Sequence, residues 1–141
     1  MKTLTVDVIA EKNGKVLLIR RGRSIFQGML ALPGGHVEDG ETVEEAARRE
    51  FEEETGLKAK LVDILGVYSD PKRDPRGETV GTVFIGKVLD GKPKAGSDAV
   101  GVRWYDLDKV ESRILAFDHA KIIRDYKKWR SRKGTYWSSR R

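Results

Sequence analysis

Apolar and polar residues alternate from the start of the chain with the period of a β-strand. Residues 3–10 place apolar side chains at every second position, which is typical of a strand with one buried face. Residues 15–20 contain an unbroken apolar run, which indicates a more deeply buried strand. Asn13-Gly14 lies between them and is the strongest short signal for a hairpin turn. We therefore predict that the chain opens with a β-hairpin.

The next clear pattern has the period of a helix and spans residues 42–56. Thr42 can cap its start, and Glu45 three residues later would complete a capping box. Gly56 supplies the left-handed position that commonly follows a helix. One face of this helix carries an apolar stripe made of Val43, Ala46, Ala47 and Phe51.

Acidic residues interrupt that apolar stripe. Glu50 and Glu54 fall in its middle and Glu53 at its edge, whereas other glutamates of the segment point away from it. Burying such carboxylates unpaired would cost several kcal/mol each or force them to protonate. A divalent cation such as Mg²⁺ removes the conflict, and Arg49 can orient one carboxylate. The alternative is a solvated acidic face, which fits Glu44, Glu45 and Glu52 better.

Further strands and a second helix follow. The patterns predict strands at residues 61–68, 79–89 and 100–105, separated by turn-rich segments. Asp118 can cap a last helix that runs to about Trp129, with Phe117 packing against Ile122 as a hydrophobic staple. This helix would bury Ile122, Ile123 and Tyr126. Strands interleaved with two helices predict an α/β layered fold.

The acidic helix and the loop before it resemble the Nudix box. That pattern is Gly, five residues, Glu, seven residues, Arg-Glu, an apolar residue, any residue, Glu-Glu, any residue, Gly and an apolar residue. Every fixed position is filled here, by Gly35, Glu41, Arg49, Glu50, Phe51, Glu53, Glu54, Gly56 and Leu57. Nine matches at fixed spacing make a chance occurrence very improbable.

The resemblance implies an activity, a fold and a set of roles. The activity is hydrolysis of a nucleoside diphosphate linked to another group. The fold is an α/β/α sandwich with a mixed β-sheet between helices, covering residues 3–130. The implied metal ligands are Glu50, Glu53, Glu54 and the carbonyl of Gly34, which would hold Mg²⁺ with Mn²⁺ as a substitute. Arg49 and Glu41 would orient the ligands and complete the catalytic set.

Two polar loops are candidates for substrate contact. Residues 20–24 form a basic loop whose arginines could meet phosphates, and a solvated loop is an equally good reading. Residues 68–77 form a longer loop with two prolines, of a kind that often carries specificity. The candidate substrate-binding residues are Arg20, Arg23, Ser69, Asp70, Arg73 and Arg76.

This second loop and residues 116–122 resemble the archaeal and bacterial ADP-ribose pyrophosphatases, in which a proline stands near the position of Pro71. For ADP-ribose as the substrate, the products would be AMP and ribose 5-phosphate. One departure is Gly101, three residues before Trp104, where many relatives carry a glutamate. Glu78, Asp98 and Glu111 are candidate replacements that the sequence does not rank. Asp118 and the two histidines, His36 and His119, are more often structural than catalytic.

Charge is concentrated at one end of the chain. The net charge is +6, but residues 127–141 hold seven basic residues and no acid, so the rest is nearly neutral. We expect residues 1–130 to form the domain and residues 131–141 to be a poorly ordered basic tail. Cysteine is absent, no apolar run could span a membrane, and the N-terminus carries an acid, which together favour a cytoplasmic protein.

Two other functions remain open from the sequence. The substrate could instead be an oxidised or ordinary nucleoside triphosphate or a dinucleoside polyphosphate. Hydrolysis of these compounds requires the same Nudix-box residues, so the box does not distinguish them from ADP-ribose. A Nudix-fold regulator that binds ADP-ribose or, through the basic tail, nucleic acid is disfavoured because no box carboxylate is lost. We expect a small nucleotide as the partner rather than nucleic acid or a membrane. The resemblance implies that the protein could form a homodimer, as members of the family often do.

Overall fold

The computed structural model describes residues 1–96 and 99–141, so the candidate Asp98 lies outside the described residues. Within these ranges the elements are, in chain order, β1 (Thr3–Lys12), β2 (Lys15–Arg21), β3 (Leu30–Ala31), β4 (Gly34–His36), α1 (Val43–Thr55), β5 (Ala59–Tyr68), β6 (Thr79–Val88), β7 (Ala99–Asp106), α2 (His119–Arg132) and β8 (Tyr136–Trp137). All predicted strands and both predicted helices are present, most of them one to three residues longer than the patterns indicated. No helix among the described residues is long and apolar enough to cross a bilayer.

The strands form one mixed sheet with two wings. In the larger wing, β1 lies parallel to β6 and antiparallel to β4, and β5 lies antiparallel to β6. In the smaller wing, β2 lies antiparallel to both β3 and β7. The predicted β1–β2 hairpin joins the wings, and its turn residues Asn13 and Gly14 have φ angles of 53° and 78°. Asparagine and glycine tolerate these positive angles, which explains why the turn forms there.

Each face of the sheet is covered by one helix. Val8 and Phe84 point to one side and pack with Phe51 of α1. Ile9 and Val83, their neighbours along β1 and β6, point to the other side and pack with α2 through Ile122, Ile123 and Tyr126. This alternation confirms the expected α/β/α sandwich, and the three predicted core residues of α2 are buried.

Helix α1 has the ends that the sequence predicts. The Thr42 hydroxyl accepts a hydrogen bond from the amide of Glu45, and the Glu45 carboxylate accepts one from the amide of Thr42. Gly56 closes the helix with a φ of 72°. Both ends are fixed by contacts within a few residues, so α1 is held in one register relative to the sheet.

The start of α2 differs from the prediction. Asp118 precedes the helix, but its side chain makes no capping hydrogen bond because the carboxylate pairs with Arg73. Phe117 does not staple the helix through Ile122. Its ring meets the edge of Phe26, with the ring centroids 4.9 Å apart, and it packs with a separate apolar cluster. Both side chains therefore contact loop residues, Arg73 and Phe26, and neither makes the predicted contact with α2.

The C-terminal residues also correct the prediction. The expectation of a poorly ordered tail over residues 131–141 is wrong for residues 136–138. Tyr136 is 3% exposed, and β8 pairs in parallel with β5 at Gly66 and Val67. The Ser138 hydroxyl accepts hydrogen bonds from the amides of Ser69 and Asp70. One buried aromatic ring and a strand pairing therefore order a segment that its charge suggested would be solvated.

Candidate active site

Helix α1 presents Glu54 to the short strand β4. The carboxylate of Glu54 is buried, and its Oε1 accepts a hydrogen bond of 2.8 Å from the amide of Gly34. Burial raises the pKa of Glu54 to about 8, against the opposing effect of the Gly34 hydrogen bond. The nearby carboxylates of Glu50 and Asp7 contribute to this raised pKa. Negative charge is therefore costly at this position unless a cation compensates it.

Glu50 lies one helical turn earlier and faces the second glycine of the pair. Burial is the main cause of the raised pKa of its carboxyl group, and the Arg49 guanidinium acts in the opposite direction. A Cβ atom at Gly35 would overlap the Glu50 carboxylate, and one at Gly34 would overlap the Val6 carbonyl and the Asp7 side chain. The two glycines thus allow backbone to approach the carboxylates more closely than any other residue would permit.

Arg49 links the carboxylates to one another. Its Nε and Nη2 donate to the two oxygens of Glu41 at 2.6 and 2.9 Å. Its Nη1 donates to Glu50 at 2.8 Å and to both oxygens of Glu53 at 3.3 Å, and Nη2 also reaches the carbonyl of His36. The hydrogen bonds from Arg49 hold the pKa of Glu41 at about 2. The structure therefore brings Glu41 and Arg49 together in the arrangement that suits orienting groups.

Glu53 differs from the other two helix carboxylates. Its side chain is 45% exposed, as its place at the edge of the apolar stripe indicates. Among the described residues, no three Asp, Glu or His side chains are grouped closely enough to form a complete metal cluster. The donor set still suits a hard divalent cation, because it consists of three carboxylates, and two of them, those of Glu50 and Glu54, are desolvated by burial.

A cleft runs from the glycine pair to the loop between β5 and β6, residues 69–78. Its inner part, about 90 Å³, is lined by Asp7, Gly34 and Gly35 among others. Its outer part, about 450 Å³, is lined by Phe26, Asp70, Lys72, Pro75, Lys121 and Ser138. Arg73 and Phe117 line both parts, so the two are adjacent. The glycine pair, which lies against Glu50 and Glu54 of α1, and the predicted substrate loop therefore border adjacent parts of one cleft.

The candidate arginines have different positions in this cleft. Arg76 lines its inner part and is half exposed, with its guanidinium 5.6 Å from the centre of the Phe117 ring. Arg20 is exposed and donates to the Gly28 carbonyl, and neither Arg20 nor Arg23 is among the residues that line the two parts. The structure thus brings one of these three predicted residues to the cleft.

Arg73 differs from the other candidate arginines because its side chain is held inside the protein. Its side chain is buried, and it donates to both oxygens of Asp118 at 2.9 Å and to the Thr79 hydroxyl at 2.8 Å. These contacts tie the β5–β6 loop to the start of α2. A guanidinium engaged in this way is a structural link, and because Arg73 also lines both parts of the cleft, its contact with substrate phosphates stays a prediction.

Comparison with known proteins agrees with this geometry. A family model described as the NUDIX domain matches residues 1–126. The chain belongs to the Nudix family. An ADP-ribose pyrophosphatase from Methanocaldococcus jannaschii is 53% identical over 128 residues, which is 91% of this chain and 75% of that protein.

Two further Nudix proteins mark the range of relatives. An oxidized purine nucleoside triphosphate hydrolase from Danio rerio is 38% identical over 112 residues, covering 77% of this chain and 69% of that one. The NUDIX domain of Shewanella oneidensis NrtR, solved in complex with ADP ribose, superimposes with a TM-score of 0.83 at 26% identity, covering 93% of this chain and 90% of that one. The protein is a Nudix pyrophosphohydrolase, and Nudix hydrolases use a divalent cation.

The inner cleft of this Nudix site contains a buried pair, His119 and Asp7, to which the sequence patterns assigned no function. His119 and Asp7 are both buried and line the inner cleft. The amide of Leu32 donates to Nδ1 of His119, so Nε2 carries the proton and faces Asp7 at 3.6 Å. An acid at an inward position of a central strand was the available signal for Asp7. His119 gave no comparable signal, because its partner lies more than a hundred positions away in the chain.

Neither described candidate to replace the glutamate missing at Gly101 lies at the cleft. Gly101 lies in β7 opposite Arg20 of β2. Of its two described candidate replacements, Glu78 is exposed, and Glu111 is exposed and paired with Arg113. Neither is among the residues that line the two parts of the cleft.

Proposed function

We propose that this Nudix enzyme hydrolyses ADP-ribose to AMP and ribose 5-phosphate, with Mg²⁺ as its cation and Mn²⁺ as a substitute. The observation that carries the proposal is the cleft that runs from the glycine pair, which lies against Glu50 and Glu54 of α1, to the β5–β6 loop. The 53% identity to a relative named as an ADP-ribose pyrophosphatase supports the choice of substrate. The outer cleft, at about 450 Å³, has the size of typical small-molecule sites.

We assign the cation to the carboxylates of Glu50, Glu53 and Glu54 and the carbonyl of Gly34. Desolvation of Glu50 and Glu54 supports this, because a bound cation removes the cost of their negative charge. When bound, such cations neutralise the pyrophosphate and lower the pKa of a coordinated water. Arg49 links and orients Glu50 and Glu53, and Glu41 holds Arg49.

We assign the remaining substrate contacts to the two ends of the cleft. Arg76, at the inner part, pairs with Asp74 but is half exposed, so the outer side of its guanidinium is placed to bind a phosphate. Asp70 lines the outer part from the β5–β6 loop, and the neighbouring Ser69 is held there through its amide by the Ser138 hydroxyl. Phe26 and Phe117 supply an apolar wall there that suits a nucleoside base.

The test is a product assay. Purified protein is incubated with ADP-ribose and Mg²⁺, and the products are separated by ion-exchange chromatography. We expect equal amounts of AMP and ribose 5-phosphate, as addition of one water across the pyrophosphate requires. Chelation of the cation should stop the reaction, and its restoration should recover it. Absence of AMP from an active, folded preparation would refute the substrate assignment.

An oxidised purine nucleoside triphosphate is the second candidate substrate. The similarity to the Danio rerio oxidized purine nucleoside triphosphate hydrolase favours it. The same assay with 8-oxo-dGTP distinguishes the two, because that substrate would yield the nucleoside monophosphate and pyrophosphate. We expect kcat/KM to be higher for ADP-ribose.

We also propose that two copies of the chain associate through one edge of the sheet. Ile64, Val67 and Trp137 are each between 43% and 47% exposed. Register places Ile64 opposite Phe84, and Trp137 opposite Val67, so the three lie on the face that α1 covers elsewhere. An exposed apolar group of this kind is typical of an interface. Light scattering should give the mass of a dimer, and Ile64→Lys should reduce it to that of a monomer.

A further inference from the structure

The last residues of the chain contact two different elements of the cleft. Residues 135–141, here called the C-terminal segment, include β8 and the residues that follow it. Ser138 of this segment and Lys121 of α2 both line the outer cleft. We propose that the C-terminal segment positions the substrate cleft, with the Ser138 hydroxyl holding the β5–β6 loop. This inference rests on the proposed function of that cleft.

The first contact is made at the point where the loop leaves the sheet. The Ser138 hydroxyl oxygen accepts hydrogen bonds from the amides of Ser69 and Asp70, at 2.9 and 3.0 Å. These are the first two residues after β5. One side-chain oxygen therefore fixes the direction in which the loop starts, and Asp70 already borders the cleft.

The second contact involves Lys121. Its ammonium donates to the buried carboxylate of Asp125 at 2.8 Å and to the carbonyl of Arg140 at 2.8 Å. The Asp125 carboxylate also accepts a hydrogen bond from the Tyr68 hydroxyl. A long lysine side chain with two fixed acceptors loses much of its freedom, so its charge is held beside the outer cleft. The C-terminal segment supplies one of these two acceptors.

The strand pairing that anchors the segment depends on a glycine. Tyr136 is buried against the main core, and its backbone pairs with Gly66 of β5. A Cβ atom at Gly66 would overlap the backbone of Tyr136. Gly66→Ala therefore displaces the segment without removing any of its residues or touching the cleft.

The test compares Ser138→Ala with Ser139→Ala, its neighbour, whose side chain is exposed. Loss of the hydroxyl should raise KM for ADP-ribose by about threefold to tenfold with kcat nearly unchanged, as expected for one or two lost hydrogen bonds. Ser138→Thr, which keeps the hydroxyl, should restore KM. Gly66→Ala should raise KM at least as much as Ser138→Ala, and Ser139→Ala should match the unaltered enzyme.

Amide hydrogen exchange at Ser69 and Asp70 gives a readout that needs no substrate. Both amides should exchange faster in Ser138→Ala than in Ser139→Ala. If ADP-ribose proves not to be the substrate, exchange still decides whether Ser138 holds the loop, and KM is measured with the nucleotide that is hydrolysed. Unchanged exchange, or faster exchange with unchanged KM, would overturn the proposal. A fall in kcat alone would also overturn it.

Discussion

Gly35 and Glu50 are so close that a methyl group on the glycine would overlap the glutamate carboxylate. Gly35→Ala should therefore move Glu50 away from its position beside β4. We expect the displaced carboxylate to lower kcat/KM by about tenfold or more, because a small misplacement of a catalytic group strongly reduces the rate. Steady-state kinetics at several Mg²⁺ concentrations would measure the change, which should include weaker apparent affinity for the cation.

Gly101→Ala is the matched control for that substitution. A methyl group at Gly101 would meet only the Cβ of Arg20, at 3.7 Å, which is an ordinary contact distance. Its kinetics should equal those of the unaltered enzyme. Equal kinetics for Gly35→Ala as well would mean that Glu50 can shift without consequence, which contradicts its assignment as a ligand.

Glu54 should make the stability of the metal-free protein depend on pH. Burial raises its pKa from the ordinary 4.5 to about 8, so the folded state retains a proton that the unfolded chain releases between these values. The free energy of unfolding should therefore fall as pH rises from about 4.5 to about 8. Below this range both states are protonated and the contribution is fully present.

Glu54→Gln tests that dependence, because the amide resembles the neutral carboxyl group. Urea unfolding with a chelator at about pH 5 and about pH 8 should show a smaller decrease for this variant. Glu52→Gln, on the exposed side of α1, should retain the decrease. Added Mg²⁺ at about pH 8 should raise Tm in the unaltered protein but not in Glu54→Gln, which should also lose most activity. A variant with normal turnover would disprove the ligand assignment.

Arg49 should not be replaceable by lysine. Its guanidinium donates to both oxygens of Glu41 and simultaneously to Glu50, a geometry that an ammonium group cannot reproduce. Arg49→Lys should lower kcat/KM by about 10- to 100-fold, the usual effect of losing a residue that orients metal ligands. Arg48→Lys, at the exposed neighbouring position, should have no effect. Equal activity of the two variants would show that charge alone suffices.

Local signals explain what the sequence could predict. The capping box of Thr42 and Glu45, and the turn at Asn13-Gly14, depend only on residues within a few positions, so their chemistry can be read directly. The alternation along β1 and β6 likewise assigns each residue to a face of the sheet. The order of Arg49 and the acids along α1 then places them on one surface.

Contacts between distant segments explain what the sequence could not predict. Asp118 has the composition and position of a helix cap, but Arg73, 45 residues earlier, takes its carboxylate. The charge of the C-terminal residues suggests that they are solvated. Yet the Ser138 hydroxyl accepts a hydrogen bond from the amide of Ser69, which lies 69 positions earlier in the chain. Neither partner can be identified from its neighbours in the chain, because each pairing follows from the packing of the whole sheet.

The buried ion pair between Arg73 and Asp118 should contribute mainly to stability. Asp118→Ala leaves the buried guanidinium of Arg73 without its counterion, which should lower the free energy of unfolding by about 3–5 kcal/mol. A double variant, Arg73→Met with Asp118→Ala, should recover part of that loss because no charge remains buried. Urea unfolding of the two single variants and the double variant gives the coupling between the residues.

Arg113→Ala provides the control for this ion pair, since Arg113 and Glu111 form an exposed pair whose loss should leave stability unchanged within error. The alternative role for Arg73, direct contact with substrate phosphates, makes a different prediction. It would require Asp118→Ala to remain as stable as the unaltered protein while KM changes, since removing Asp118 would free the guanidinium for substrate. The two hydrogen bonds from Arg73 to Asp118 and the third to Thr79 favour the loss of stability, because each of the three guanidinium nitrogens already donates a hydrogen bond inside the protein.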